Sequence, residues 1–474
     1  MFKRFFSKKQ INRSVDSILA LRHWLRRLPF AQLDYARIIP GKGVLIRGIL
    51  IDPGSEVLRV QLLFKDGRLP PVDLQLTKFR DDQRCTRVIP LRDSEKPGFA
   101  SLVTLPDLAD FEQSPAHTQV GICFTLKDGR RITKYFRKPG IPLSVNLNGV
   151  RDILASVPYK TSDKHELFDN VYGPAVGHVW SHRPQTTVDE ELKDYNTHLA
   201  PLNPVVSLVI PIYGRHDFIE YQLSSFSSDA DMLNHEIIFV IDDPRLINTV
   251  NQTAEWLQKI YPLAFRILYL KQNRGYAGAN NAGVRQARAS AILLLNSDVL
   301  PSRTAWLKDF VASAGDDINS ALFGARLLYE DNSVQHDGME FFASPFVDNL
   351  WTNIHPGKGL PADIFPQSKI PVNRQTVTGA CLLVSKSNYE LIGGLNECYI
   401  LGDFEDSDFC LKARKHGLDI KLAQNIVLYH LERQSQSLVS KNRWKQEVTY
   451  YNCWQHSQIW DKAIRQLNSS LANA

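Results

Sequence analysis

The chain has 474 residues, 43% hydrophobic and 22% charged. That usage excludes a largely disordered or collagen-like chain and, at roughly 100 to 200 residues per domain, argues for two or three folded units. Its 56 Lys and Arg against 50 Asp and Glu leave a formal charge of +6, too mild over this length for a coat on nucleic acid, so no nucleic-acid partner is expected.

The first 42 residues hold ten Lys and Arg against Asp16 and Asp34. Within them Ile11, Val15, Ile18, Leu21, Leu25 and Leu28 recur near helical period, with Arg22, Arg26 and Arg27 offset. The spacing predicts a basic amphipathic helical segment over 1–42, suited either to an anionic membrane surface or to packing on its own protein with solvated arginines. No run approaches the roughly 20 apolar residues that span a bilayer, and the start lacks a signal-peptide core. Six cysteines without a CxxC pair fit reduced thiols better than a disulfide framework or a zinc cage. The expected location is cytoplasmic, peripheral on the inner membrane face through 1–42.

Residues 43–138 are short β-rich runs, Val44–Ile51, Val57–Phe64, Val88–Leu91, Phe99–Leu105, Val120–Leu126 and Arg131–Phe136, several parted by turns such as Lys65-Asp66-Gly67. They predict a small antiparallel sandwich, with sugar binding, partner binding and plain packing all open as its role. Seven prolines between Pro139 and Pro204 mark 139–204 as a linker with one or two short helices. From 205 to 440 apolar runs at Val205–Ile212, Ile237–Ile241, Ile267–Leu270 and Ala291–Leu295 alternate with helical stretches. That alternation predicts a parallel α/β sheet; residues 441–474 form a C-terminal helical segment. Ligands in such sheets bind beyond the carboxyl ends of the strands.

On that rim the chain sets Asp242-Asp243 after the second strand and Asn296-Ser297-Asp298 after the fourth. Carboxylates there are oxygen ligands for a hard divalent cation, or else helix caps and turn formers. Asn273-Arg274-Gly275-Tyr276 through Gly283 places glycines where a loop enters a helix, which lets backbone approach an anionic ligand. Neither GxGxxG nor GxxxxGK[ST] occurs. In Gly402–Gly417 the acids Asp403, Glu405, Asp406 and Asp408 crowd one end of a helix; like charges raise one another's pKa and favour a general base, while a solvated helix cap is the plainer reading. His430 ends another short apolar run, and spacing alone does not say whether it folds toward Asp298.

Together these segments, in this order over about 205–460, resemble the inverting family 2 glycosyltransferases of the GT-A fold. Gly324–Leu328, Gln335-His336-Asp337-Gly338, Thr378-Gly379-Ala380-Cys381 and Gly393–Glu397 are similar to segments of bacterial surface-polysaccharide, O-antigen or rhamnosyl, transferases. The resemblance implies an α/β, Rossmann-like mixed sheet with flanking helices behind the β-sandwich. It assigns Asp298, with His430, to Mn2+ or Mg2+, and Asp406, in the Glu405-Asp406 pair, to the general base. Asp242, Pro211 and Tyr213 fall to the nucleotide; Arg274, Asn280, Asn296 and Ser297 are further donor-site candidates. Two departures stand out: Asn296 replaces the first motif carboxylate, and Asp-Pro-Arg follows Asp242 where the family has a Gly-Ser-rich turn.

The implied activity is metal-dependent inverting transfer of a hexosyl or deoxyhexosyl group from a UDP- or dTDP-sugar. The acceptor would be a glycan or a polyprenyl-linked glycan of bacterial surface-polysaccharide synthesis. A nucleotidyltransferase and an inactive glycan-binding scaffold are the competing readings.

Overall fold

The computed structural model describes residues 29–67, 69–80, 96–105, 119–136, 142–158, 161–184, 190–431 and 443–472. The chain divides into two units: residues 1–184 with 446–451, and residues 185–445 with 452–474. The helix expected over Ile11–Leu28 lies outside the described residues. Residues 30–39, inside the segment expected to be helical, form a strand, paired antiparallel with residues 43–51.

In the first unit, β1 (Phe30–Ile39), β2 (Gly43–Ile51), β3 (Val57–Phe64), β4 (Val72–Asp73), β5 (Thr77–Phe79), β6 (Gly98–Thr104), β7 (Val120–Leu126) and β8 (Arg131–Tyr135) make two four-stranded antiparallel sheets. Their orders are β1-β2-β6-β5 and β4-β3-β7-β8. Ile46, Phe99 and Val103 of one sheet share a core with Leu62, Ile122 and Phe124 of the other, the two-layer burial of a sandwich. The run expected at Val88–Leu91 lies outside the described residues. The proline-rich stretch holds α1 (Leu147–Ala155) and α2 (Gly173–Ser181), the latter entered through one π-helical turn at Phe168–Tyr172.

The second unit is a mixed sheet built from β9 (Glu190–Tyr195), β10 (Val206–Ile212), β11 (Glu236–Ile241), β12 (Phe265–Leu270), β13 (Ala291–Leu295), β14 (Val299–Pro301) and β15 (Ala321–Leu328). To these it adds β16 (Val334–His336), β19 (Val372–Asn373), β20 (Cys381–Ser385) and β21 (Asp419–His430), while β17 (Glu340–Ser344) and β18 (Leu350–Ile354) form a separate hairpin. The main order is β14-β21-β15-β20-β13-β10-β11-β12-β9. Strands β13, β10, β11 and β12 run parallel, and β20 turns antiparallel against β13.

Apolar cores lie on both faces of this sheet, which is why its central strands read as unbroken apolar runs. Around it stand α3 (Phe218–Ser227), α4 (Ile247–Ile260), α5 (Gly275–Gln286), α6 (Trp306–Ala314), α7 (Lys386–Ile392), α8 (Glu405–Lys415) and α9 (Arg443–Ala472). No helix among the described residues is long and apolar enough to cross a membrane.

Candidate active site

The turn after β13 carries Asn296, Ser297 and Asp298, and leads at once into β14. Antiparallel pairing of β14 with β21 sets Val299 opposite His430, and Leu431 N donates to Asp298 O at 3.0 Å. The side chains follow: His430 Nε2 stands 3.3 Å from Asp298 Oδ1, and Asp298 is 8% exposed. Gln222, buried on α3, donates through Nε2 to Asn296 O at 3.0 Å and Val299 O at 3.2 Å, so one amide holds both ends of the turn. Asn296 Oδ1 is buried with no partner among the described residues.

The second cluster sits at the start of α8. Asp406 accepts from Ser407 N at 2.7 Å through Oδ1 and from Gly379 N at 3.2 Å through Oδ2. Burial pushes its carboxyl up from the usual range, against the pull of those bonds and of the Thr378 side chain. Glu405 lies deeper; burial first, then the charges of Asp406 and Asp403, hold it well above its ordinary value. Asp406 is half-buried and Glu405 buried, so Asp406 is the more accessible carboxylate of that pair. Asp408 is not at the rim: it is buried, receiving Trp460 Nε1 at 2.8 Å and Tyr399 Oη at 3.2 Å, with Lys412 Nζ 2.8 Å away. The approach to α8 is strained, since Leu401, Asp403 and Phe404 have φ of 67°, 77° and 75°, each costing on the order of 1–3 kcal/mol without a glycine.

Residues Thr378–Cys381 join the two clusters. Ala380 O accepts from Asn296 N at 2.9 Å, and its neighbour Gly379 binds Asp406. Tyr276, on the first turn of α5, donates through Oη to Gly379 O at 2.7 Å and through its backbone N to Leu401 O at 3.1 Å. His336 Nε2 accepts from Thr378 N at 3.4 Å. A continuous hydrogen-bonded path thus runs from the Asp298 turn through Gly379–Ala380 to Asp406 and to the start of α5.

Other candidates sit differently. Asp242, 3% exposed, accepts from Arg274 N at 2.6 Å, and Asn273 Nδ2 donates to its carbonyl at 3.1 Å; burial pushes its carboxyl well above the ordinary range. It ties the loop before α5 to the end of β11. Tyr213 is 42% exposed and Pro211 is half-buried on β10; Ser297 is half-buried in the turn.

Arg274 Nη1 is 2.6 Å from Glu190 Oε1, so its guanidinium is engaged at the sheet edge. Asn280 is fully buried on α5 and donates to Tyr276 O at 2.9 Å, so it has no exposed surface to offer a donor. The glycines of α5 serve packing as well as the loop. Gly275 takes φ +72°, and a Cβ on Gly283 would lie 2.4 Å from Val209 Cγ1.

Sequence reasoning missed Gln222, the bridging role of Gly379, and Arg215. Arg215 is ion-paired with Asp217 and feels the charge of Asp298, which puts a cation beside the turn. A Gln and a Gly carry no chemical signature, so only the tertiary path reveals them.

Asp298 and His430 offer an oxygen and a nitrogen ligand, and the unpartnered Asn296 Oδ1 offers a second oxygen close by in the chain. That donor set suits Mn2+ or Mg2+. Among the described residues no three His, Cys, Asp or Glu side chains gather to hold an ion unaided, so any ion there would need ligand oxygens as well.

Residues 207–386 match the family described as Glycosyl transferase family 2. It is 30% identical over 253 residues to an uncharacterized protein of Sinorhizobium fredii, covering 52% of this chain and 27% of that one. It is 23% identical over 257 residues to the O-antigen biosynthesis protein RfbC of Myxococcus xanthus, covering 52% and 19%. The chain therefore spans about a quarter or less of the length of these two relatives. Among solved structures it is similar to GalNAc-T7 with UDP, GalNAc and Mn2+, at TM-score 0.39 and 12% identity over 48% of this chain and 44% of that one.

Proposed function

We propose that the second unit transfers a sugar, with inversion, from a nucleotide-sugar donor to a hydroxyl of a glycan or lipid-linked glycan acceptor in the making of a bacterial surface polysaccharide. The observation that carries this reading is the path Asn296–Ala380, Gly379–Asp406, which couples a carboxylate–imidazole pair to a half-buried carboxylate of raised pKa. The O-antigen relative supports the polysaccharide context.

In this reading Asp298 and His430, with Asn296 Oδ1, would hold Mn2+ or Mg2+, whose charge neutralises the donor diphosphate. Asp406 takes the proton of the acceptor hydroxyl as that oxygen bonds to the anomeric carbon. The bond from that carbon to the diphosphate oxygen breaks on the opposite side, and the configuration inverts. The Gly379 and Ser407 amides fix the Asp406 oxygens, so the base is oriented before the acceptor arrives. Tyr213 and Pro211 line the approach to the nucleotide, and Asp242 holds the loop beside it. Arg215 supplies positive charge for the phosphates.

The test is product analysis with a panel of UDP-, dTDP- and GDP-hexoses, Mn2+ and alkyl glycoside acceptors. Release of nucleoside diphosphate by the wild type and its loss in Asp406→Asn are expected. Release of pyrophosphate would select a nucleotidyltransferase, and an Asp406→Asn protein as active as wild type would remove the base.

A further inference from the structure

Helix α9 carries Asn452, His456 and Trp460 at four-residue spacing, one above another on a single face. All three are buried, and each meets a different part of residues 400–408. Asn452 Nδ2 donates to Ile400 O at 3.1 Å and Gly402 O at 2.6 Å, while its Oδ1 accepts from Ile400 N at 3.0 Å. His456 Nε2 lies 3.3 Å from Ser407 Oγ. That hydroxyl gives its own proton to Phe404 O and accepts one from Asn353 Nδ2, so the imidazole is the donor. Trp460 Nε1 donates to Asp408 Oδ1 at 2.8 Å. The Phe404 ring rests 5.2 Å from that of His456.

These bonds bracket the three left-handed residues Leu401, Asp403 and Phe404 and the two residues that follow Asp406 in α8, Ser407 and Asp408. A strained segment persists only where its surroundings over-determine it, and here the surroundings are the α9 face. The Asp406 carboxylate takes its place from Ser407 N and Gly379 N; moving Ser407 moves one of its two anchors.

We propose that Asn452, His456 and Trp460 are positioning residues for the general base. They hold 400–408 in the conformation that aims Asp406, without touching a substrate themselves. This rests on the reading of Asp406 as base. It predicts a separation in the kinetics: turnover depends on the α9 face, whereas donor and ion binding at Asp298 and His430 do not.

The experiment compares wild type, Asn452→Ala, His456→Phe and His456→Gln in the full chain, following nucleoside diphosphate release from the same donor panel with Mn2+ and alkyl glycosides. For Asn452→Ala and His456→Phe we expect kcat to fall about a hundredfold, the effect of an ångström-scale misplacement. KM for the donor and the affinity for nucleoside diphosphate with Mn2+ should stay unchanged. The acid limb of the kcat profile should shift as the surroundings of Asp406 change. His456→Gln, which keeps an N–H toward Ser407, should recover most of the rate. If Asn452→Ala does not fold, the His456 pair alone decides.

Active wild type with equally active variants, or variants that lose donor affinity in step with turnover, overturns the positioning role and spares the function. A wild type that transfers no sugar from any donor removes the functional reading, and this inference with it.

Discussion

His430 reaches Asp298 through strand register: Val299 pairs with His430 across β14 and β21, and the imidazole Nε2 ends 3.3 Å from the carboxylate. Replacing either side chain by Ala leaves that backbone pairing intact. We therefore expect folded proteins in which Mn2+ no longer tightens nucleoside diphosphate binding. Turnover should fall by roughly a hundredfold or more, the usual loss when one charge-stabilising group is removed. Titration calorimetry with and without Mn2+ checks it, and unchanged tightening in both variants would refute the pair as ligands.

Activity should fade on acidification at a higher pH than an ordinary aspartate dictates. Burial raises the Asp406 pKa, and a base works only when deprotonated, so kcat must fall as pH drops through that raised value. Glu405 beside it is likewise held well above its ordinary range, by burial first and then by the charges of Asp406 and Asp403. Glu405→Gln should keep the acid limb but move it to lower pH, because a neighbouring charge has been deleted. A limb moved upward would contradict this coupling.

Acid should also destabilise the fold through His456. Burial pushes its imidazole down to about 4, against roughly 6.5 in an unfolded chain. Between these values the unfolded chain binds a proton that the folded one refuses, so stability is complete above about pH 6.5 and is lost as pH falls toward 4. The loss approaches about 3 kcal/mol at the lower end. Urea melts at pH 7 and pH 5 should converge in His456→Gln; an equal pH difference in wild type and variant would refute the assignment.

Gly283→Ala tests the packing of α5 on the sheet. A Cβ there would lie 2.4 Å from Val209 Cγ1 and 2.9 Å from Val240 Cγ2, both in packed strands. Destabilisation of about 1–3 kcal/mol is expected from overpacking, measured as a lower urea midpoint; a variant as stable as wild type would show that the helix can lift away freely.

The parallel strands were legible because they are buried on both faces: Val206–Ile212, Glu236–Ile241 and Ala291–Leu295 are nearly all apolar. Strand β9, Glu-Glu-Leu-Lys-Asp-Tyr, was not, since an edge strand carries charge and reads as linker. Phe30–Ile39 was absorbed into a basic helical segment because the neighbouring arginines dominated the pattern.

Residue type and order singled out Asp298, Asp406 and His430 as candidates, the resemblance implied their roles, and the fold brings His430 to Asp298. Asn280 and Arg274 lay in the right motif, yet one is fully buried and bonded back to Tyr276 of its own helix, and the other pairs with Glu190 from a distant strand. Neither outcome is encoded in local spacing. The glycines of α5 suggested ligand approach, but Gly283 faces Val209 and Val240, a constraint visible only once helix and sheet are packed.

The two rims of the large sheet are closed to further strands by different means. At one, β14 is three residues long and ends in Pro301, which lacks an amide hydrogen; at the other, β9 presents Glu190, Glu191, Lys193 and Asp194. Short, proline-ended and charged borders discourage edge-to-edge pairing between molecules. Fibre-like stacking of one copy on another through these borders is thereby disfavoured.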